Sequence, residues 1–209
     1  ELATLVATGL DIAQGGTNQK FSSRNLSVKA QRLFPDLISS ETPTLNIRFE
    51  IDDFPLPTAL RLPLGGIVKN LNVSIKLLAK LGRPFDIIAL SKWRDAGGII
   101  EFDSIEARYG PLYLLANGTL ALDDKLQILA ALSAKVQGIF SVIDRLKKAQ
   151  VIRARDAAFA KLVIGFLSKR SPDGSTTVDL PLTIQDGKLS TQNLTLLKIP
   201  KIHWPKTVK

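Results

Sequence analysis

Alternation of apolar and polar residues constrains this chain more than any other feature. Leu45, Ile47, Phe49 and Ile51, for example, alternate with polar side chains. Successive side chains of a β-strand point to opposite faces, so this period of two predicts strands with one apolar face. Segments with this pattern lie near residues 2–12, 24–30, 44–51, 70–81, 99–109, 112–122, 126–132, 177–185 and 194–199.

Short turns join most of these segments. Asp123-Asp124 separates two of them, and Asp186-Gly187 is a strong hairpin signal that leads into Leu189. Because short turns join antiparallel neighbours, we expect about nine strands that pair mainly antiparallel.

Three segments depart from the period of two and predict helices. Pro84 stands at a favourable first helical position, and Gly97-Gly98 would end that short helix. Two later apolar stripes have helical spacing and lie opposite basic residues. The pattern predicts that both stripes face the core and that their helices form a basic hairpin over residues 139–168. The first stripe is Ile139, Phe140, Ile143 and Leu146, and the second is Phe159, Leu162, Val163, Phe166 and Leu167.

Residues 52–66 are rich in proline and glycine. Proline cannot donate to a sheet ladder, so we expect a connection or an edge segment here. Neither side of this segment has a complete set of elements of its own. We therefore interpret residues 1–209 as a single α+β domain.

Composition limits the chemistry that this chain can perform. It has no cysteine and a single histidine, His203, so disulfides, thiolate metal sites and multi-histidine metal sites are excluded within one chain. The sequence contains no Gly-x-Ser-x-Gly elbow, Walker loop or GxGxxG fingerprint. From the missing residue types and motifs we expect a protein that is not an enzyme, with no catalytic residues, no metal and no cofactor.

No apolar run approaches the roughly 18 residues that a membrane-spanning helix needs.

The net charge of +9 is concentrated in one helical stretch and in the C-terminal tail, where residues 188–209 hold five lysines and no acidic residue. Residues 145–170 hold eight basic residues and one acidic residue, whereas residues 1–144 are neutral. Such a patch favours lipid headgroups, nucleic acid or an acidic protein as partner, and a solvated helix face is the alternative. The nearby aromatic residues belong to the apolar stripes rather than to a base-stacking surface, so we do not expect nucleic acid as a partner. The candidate contacts with an anionic membrane surface or partner are Arg145, Lys147, Lys148, Arg153 and Arg155.

The apolar strand faces exceed what the helices can cover. Nine strands span roughly 43 Å, whereas each helix covers about 20 by 10 Å. We therefore expect a strongly curved, half-barrel or barrel-like sheet with two or three helices packed on its concave face. An uncovered part of that concavity would accept a lipid or another apolar ligand, and a core filled by the protein's own side chains is the alternative. The candidate lining residues are Leu71, Val73, Ile75, Leu77, Leu112, Leu114, Ile128, Phe140, Ile143, Phe159 and Phe166.

Several short runs carry a resemblance to a known family. They are SKWRDAGGII at residues 91–100, YGPL at 109–112, NGTLALD at 117–123, VQG at 136–138 and LPLTIQDG at 180–187. Together they resemble an uncharacterised family of bacterial envelope proteins, a domain of unknown function. The resemblance covers residues 67–200, and the sequence before residue 60 matches nothing specific. The Gly-Thr-Leu and Asp-Gly-x-Leu turns also resemble those of AsmA-type envelope proteins, which are linked to outer-membrane lipid homeostasis.

The resemblance implies a location rather than a mechanism. Members of the first family typically carry an N-terminal signal or anchor segment, which implies a periplasmic protein; whether such a segment also anchors it to the membrane is left open by the resemblance. No catalytic residue can be transferred from the family. The expected function is therefore non-enzymatic binding or transfer of a lipid or other apolar ligand in the cell envelope. The alternative is an envelope scaffold or assembly factor that binds another protein through a strand edge or the basic face.

Overall fold

The computed structural model describes residues 2–13, 20–34, 39, 41–56, 62–84, 86–170, 175–191 and 194–204. Eleven strands of these residues form one open, antiparallel sheet, and three helices accompany it. The predicted α+β class with a mainly antiparallel sheet is confirmed. The strands are β1 (Leu2–Ala13), β2 (Lys20–Arg32), β3 (Pro43–Pro55), β4 (Ile67–Leu78), β5 (Ile100–Tyr109), β6 (Leu112–Leu122), β7 (Ile128–Gln137), β8 (Ser168–Arg170), β9 (Thr176–Gln185), β10 (Lys188–Thr191) and β11 (Leu194–Lys198).

The order of the strands in the sheet follows the order of the chain. β1 to β7 are successive neighbours, β9, β10 and β11 follow β7, and β8 pairs with β9. The two strands beyond the nine expected are the short β8 and β10. The predicted hairpin turn joins β9 to β10, and both of its residues have positive φ, 52° at Asp186 and 67° at Gly187. These values match the right-handed twist of the flanking strands.

The proline-rich connection is shorter than predicted. Residues 52–55 complete β3, and Phe54 and Pro55 lie opposite Val68 and Ile67 of β4. The period-two pattern continues through Phe54, and Pro55 occupies the last strand position, where it interrupts no later part of the ladder. The remaining prediction for this segment falls partly on residues 57–61, which lie outside the described residues.

The first helix, α1 (Ile87–Asp95), begins three residues after the predicted start at Pro84. The Asp86 carboxylate accepts a hydrogen bond of 2.8 Å from the backbone N–H of Ala89, and this cap fixes the first turn. The helix ends before Gly97-Gly98, as predicted.

The predicted helical hairpin is confirmed as α2 (Ile139–Lys148) and α3 (Ala154–Leu167). Lys161 of α3 donates to both carboxylate oxygens of Asp144 in α2, at 2.6 and 2.7 Å. This hydrogen bond from Lys161 holds the pKa of Asp144 below its ordinary value. The ion pair therefore ties the two helices together across their shared side.

The prediction that both helical stripes face the core is wrong for α3. α2 buries Val142 and Ile143, but α3 buries only Ala157 among its described side chains. The whole predicted α3 stripe is exposed to solvent. The physical reason is that α3 has a second apolar side of smaller residues, which permits a closer approach to α2 and β9.

The sheet leaves a large part of the chain accessible to solvent. The accessible surface is 14144 Å², whereas a compact monomer of 22.8 kDa would expose roughly 9,600 Å². The accessible surface is larger than that of a compact monomer because the sheet is a single layer and helices cover only part of one of its faces. None of the described helices combines the length and apolarity needed to cross a bilayer.

Candidate functional site

The strand register collects the apolar residues on one face of the sheet. One row runs across seven strands and spans roughly 29 Å at about 4.8 Å per strand. A second row runs parallel to it from β2 to β9. The first row is Val28, Phe49, Val73, Ile105, Ala116, Ala134 and Leu180, and the second is Ala30, Ile47, Ile75, Phe102, Gly118, Leu132 and Leu182. We call the surface formed by these two rows the apolar sheet face.

The helical hairpin covers one part of the apolar sheet face. Ile139, the first residue of α2, packs against a buried cluster of Ala116, Ala134 and Val136. The most extensive helix–strand contacts join α2 to β6 and α3 to β9. Gly138 permits this approach, because a Cβ at that position would overlap the carbonyl oxygen of Pro111. The covered region therefore lies over β6, β7 and β9.

The short helix α1 lies at the opposite ends of the strands. The Arg94 guanidinium donates to the backbone carbonyls of Asp123 and Asp124 in the β6–β7 turn, at 3.2 and 3.0 Å. At the other end, Arg145 of α2 donates to the carbonyl of Leu64 at 3.1 Å. The strands therefore run between two helical elements, one at each end.

The part of the apolar sheet face on β2 to β5 is partly exposed to solvent. Phe49, Val73, Ile75, Phe102 and Ile105 are all half-buried. In the same two rows, the described residues that reach full burial are Ala116 and Ala134, beneath the hairpin. Half-buried apolar side chains on a strand face are available for contact with a ligand.

The predicted lining residues divide into three groups in the structure. The seven on strands share the apolar sheet side and are half-buried: Leu71, Val73, Ile75, Leu77, Leu112, Leu114 and Ile128. In α2, Phe140 is half-buried and Ile143 is buried within the protein's own packing. Phe159 and Phe166 point to solvent from α3 rather than toward the sheet interior. Their role as ligand-lining residues stays a prediction.

The opposite, polar face of the sheet carries depressions that sequence reasoning missed. One of them, of about 490 Å³, is lined by residues of β5, β6, β7 and β9, including the polar side chains of Glu101, Asp103, Asn117 and Ser133. A register shift in β5 between Phe102 and Ile105 places Asp103 and Ser104 beside it. Lys76 donates to Asp103 at 2.6 Å, and this hydrogen bond raises the pKa of Lys76. The polar phase of the strand alternation was the available signal, but it predicts a solvated face and not its shape.

The predicted anionic-partner contacts are brought together on the helical hairpin. Arg145, Lys147, Lys148, Arg153 and Arg155 are all exposed. Lys147 and Arg155 each lie 3.9 Å from a neighbouring aspartate, too far for a strong hydrogen bond. The cluster therefore keeps most of its positive charge facing solvent.

The described residues show no assembled catalytic or metal centre. His203 is exposed, in a tail that is tied to the β6–β7 turn by its neighbours. Ile202 exchanges two hydrogen bonds with the Gln127 side chain, and Trp204 donates to the carbonyl of Leu126 at 3.1 Å. In the part of the chain that the structure describes, no three His, Cys, Asp or Glu side chains are grouped to hold a metal ion. The expectation of a non-enzymatic protein stays a prediction.

Comparison with known proteins gives one match. A model of a family described as "Uncharacterized protein conserved in bacteria (DUF2125)" matches residues 1–200. The match extends through the N-terminal strands, which the sequence resemblance did not cover. No curated protein and no solved structure matches the chain.

Proposed function

The chain belongs to this uncharacterised bacterial family, and we propose that it is a non-enzymatic protein of the cell envelope that binds or transfers a lipid or other apolar ligand. The ligand lies on the apolar sheet face. The single observation that carries the proposal is the half-buried state of that face on β2 to β5, where the helical hairpin does not cover it. A periplasmic location is part of the proposal and is supported by the resemblance to envelope proteins. Fractionation of cells that express the native gene tests it.

The energetics suit an acyl chain. Each buried methylene contributes about 0.8 kcal/mol, so ten of them would supply roughly 8 kcal/mol before the costs of ordering the chain. Phe49, Val73 and Phe102 offer side chains without polar atoms for this contact.

Ala30 of β2 and Ala131 of β7 provide the test. Ala30 lies on the apolar sheet face in the part that the hairpin does not cover, paired with Ile47, and is half-buried. Ala131 lies on the polar side, paired with Thr119 and Thr183, and is exposed. Ala30→Phe should weaken binding of a fluorescent fatty-acid probe about tenfold by occupying space on the apolar face, while Ala131→Phe should leave binding unchanged.

Thermal unfolding of the same variants separates an open face from a filled one. On an open face the added ring of Ala30→Phe has room, and the free energy of unfolding stays close to that of the wild type. If the protein's own side chains fill the face, the added ring overpacks it and lowers the free energy of unfolding by about 1–3 kcal/mol. Equal probe binding by the two variants, or the absence of lipid in native mass spectra of protein purified from cells, would contradict the proposal.

A second candidate function is an assembly factor that pairs with another protein through β1. This strand has twelve residues and pairs only with β2, so its other edge is open in the described sheet. Its exposed residues include Leu2 and Val6, and exposed apolar edge strands recruit further strands. A photo-crosslinking residue at Val6 should then trap one defined envelope protein in cells. Crosslinking only to lipid or to nothing would exclude this role.

A further inference from the structure

The outward side of α3 is an unusually apolar surface for a solvent-exposed helix. Its large side chains recur at helical spacing, and Phe159 and Phe166 are 66% and 84% exposed. Large apolar patches that stay exposed mark interaction sites. We call this patch the α3 surface; it consists of Phe159, Leu162, Val163, Phe166 and Leu167.

The α3 helix presents both of its aromatic residues to solvent and packs two alanines and an isoleucine against the protein. Ala157 is buried, and Ala160 and Ile164 are half-buried on the inward side. The only charged residue between residues 157 and 168 is Lys161, which is bound to Asp144. The α3 surface therefore contains no charged side chain that would oppose its burial.

Basic residues border the α3 surface at both ends. Arg153 and Arg155 precede or begin the helix, and Lys169 and Arg170 follow it. All four are exposed, as is Lys148 at the end of α2, and Lys169 also donates to the Asp179 carboxylate at 2.9 Å. An apolar helix side with cations around it matches the boundary between acyl chains and anionic headgroups of a bilayer.

We propose that α3 is an interfacial helix that inserts the α3 surface into a bilayer containing anionic phospholipid, with the bordering cations on the headgroups. Its 14 residues extend about 21 Å, which suits a helix that lies in the membrane plane. This contact is separate from the apolar sheet face and holds whether or not a ligand is bound there. Insertion of the apolar side chains should keep the protein on the membrane at high salt, where electrostatic attraction alone would be screened.

The charge pattern favours a membrane over a second copy of the chain. In a two-fold dimer the same patch meets itself, so the two rims of cations would face each other. Like charges brought together in this way oppose association, whereas anionic headgroups neutralise the whole rim. A dimer remains one outcome of the test.

Vesicle flotation with three variants tests the proposal. The vesicles are phosphatidylcholine with or without phosphatidylglycerol. Phe159→Ser/Phe166→Ser should weaken binding to the phosphatidylglycerol vesicles at least about tenfold, because each buried phenyl ring contributes about 1.5–3 kcal/mol. Lys148→Gln/Arg153→Gln/Arg155→Gln should also weaken it at least about tenfold, at about 1 kcal/mol per cation. The matched control is Phe34→Ser, since Phe34 is 68% exposed but follows β2 instead of lying on the hairpin.

Insertion can be distinguished from surface attraction by site-specific labelling. The chain has no cysteine, so Phe166→Cys provides a single site for an environment-sensitive fluorophore, and Ala131→Cys on the polar sheet face serves as control. The label at residue 166 should shift to the blue on vesicles and the label at 131 should not. Three results would overturn the proposal. They are unchanged vesicle binding by Phe159→Ser/Phe166→Ser, a label at residue 166 that stays in water, and a wild-type dimer in solution that Phe159→Ser/Phe166→Ser dissociates. Probe binding by Lys148→Gln/Arg153→Gln/Arg155→Gln should remain intact, so failure here leaves the ligand proposal standing.

Discussion

Helices α1 and α3 lie on the same sheet but use their apolar residues in opposite ways. In α1, Trp93 is 3% exposed, its indole N–H donates to the carbonyl of Leu78 at 2.7 Å, and its ring lies against Gly98. In α3, Phe166 is 84% exposed and the inward side is formed by Ala157, Ala160 and Ile164. The first helix closes the core at the β4–β5 junction, while the second leaves its largest side chains exposed to solvent.

The difference shows that an apolar stripe does not by itself identify the buried side of a helix. α1 is short, and its large ring, that of Trp93, is buried against Gly98. α3 is apolar on both sides, so the side with the better fit to α2 and β9 becomes the inner one. Close approach favours the small residues there.

Truncating the two aromatic residues should give the largest contrast. Trp93→Ala should destabilise the protein by about 3–5 kcal/mol, because it leaves a cavity and removes the hydrogen bond to Leu78. Phe166→Ala should change stability by less than about 0.5 kcal/mol, since its ring is already in water and alanine favours the helix. Urea unfolding followed by circular dichroism measures both.

A control on α1 itself guards against a helix-wide effect. Ile88 is 50% exposed, so Ile88→Ala should cost far less than Trp93→Ala. Similar losses for Trp93→Ala and Phe166→Ala would show that α3 is also part of the folded core, and the contrast between the helices would fail.

Two glycines repeat the comparison at smaller magnitude. A Cβ at Gly98 would overlap the Trp93 ring, so Gly98→Ala should destabilise by about 1–3 kcal/mol. Gly165 in α3 has open space around its Cα, so Gly165→Ala should stabilise by about 0.5–1 kcal/mol through helix propensity. Thermal melts of the two variants should therefore move in opposite directions. A loss of stability in Gly165→Ala would mean that α3 packs more tightly than described.

The sheet could be predicted from the sequence because strand alternation is a local signal. The register that pairs Ile105 with Val73 and Ala116 follows from the tight turn at Gly110 between β5 and β6 and from the need to keep apolar residues on one side. The helix start at Ile87 was placed three residues early, because a capping aspartate, Asp86, overrode the preference of Pro84 for the first turn.

The candidate surfaces were harder to predict because they depend on which parts of the sheet the helices cover. The seven strand residues proposed to line a ligand site do share one side, since phase alone decides that. The orientation of Phe159 and Phe166 depends on tertiary packing between α3, α2 and β9, which periodicity does not encode. The depression beside Asp103 depends on a register shift in β5, which has no composition signal.

The smallest predicted effect concerns the ion pair that holds α3 on α2. Lys161 lowers the pKa of Asp144 in the folded protein, so the folded state favours the ionised carboxylate more than the unfolded state does. The stabilisation is therefore complete above the unfolded pKa of about 4 and is lost as the pH falls through the lower folded value. Asp144→Asn should melt slightly below the wild type at neutral pH, and the two should converge in acid.

The convergence in acid distinguishes the ion pair from a general loss of packing. A packing defect in Asp144→Asn would persist at every pH, whereas a lost charge interaction disappears once the wild-type carboxylate is protonated. Asp124→Asn, in the exposed β6–β7 turn, is the matched control and should follow the wild type closely in its melting temperature at each pH. The effect should be small because both partners are exposed to solvent. If α3 is also held by a membrane, the deficit of Asp144→Asn at neutral pH should shrink when phosphatidylglycerol vesicles are added, because binding there stabilises the docked helix independently of Lys161.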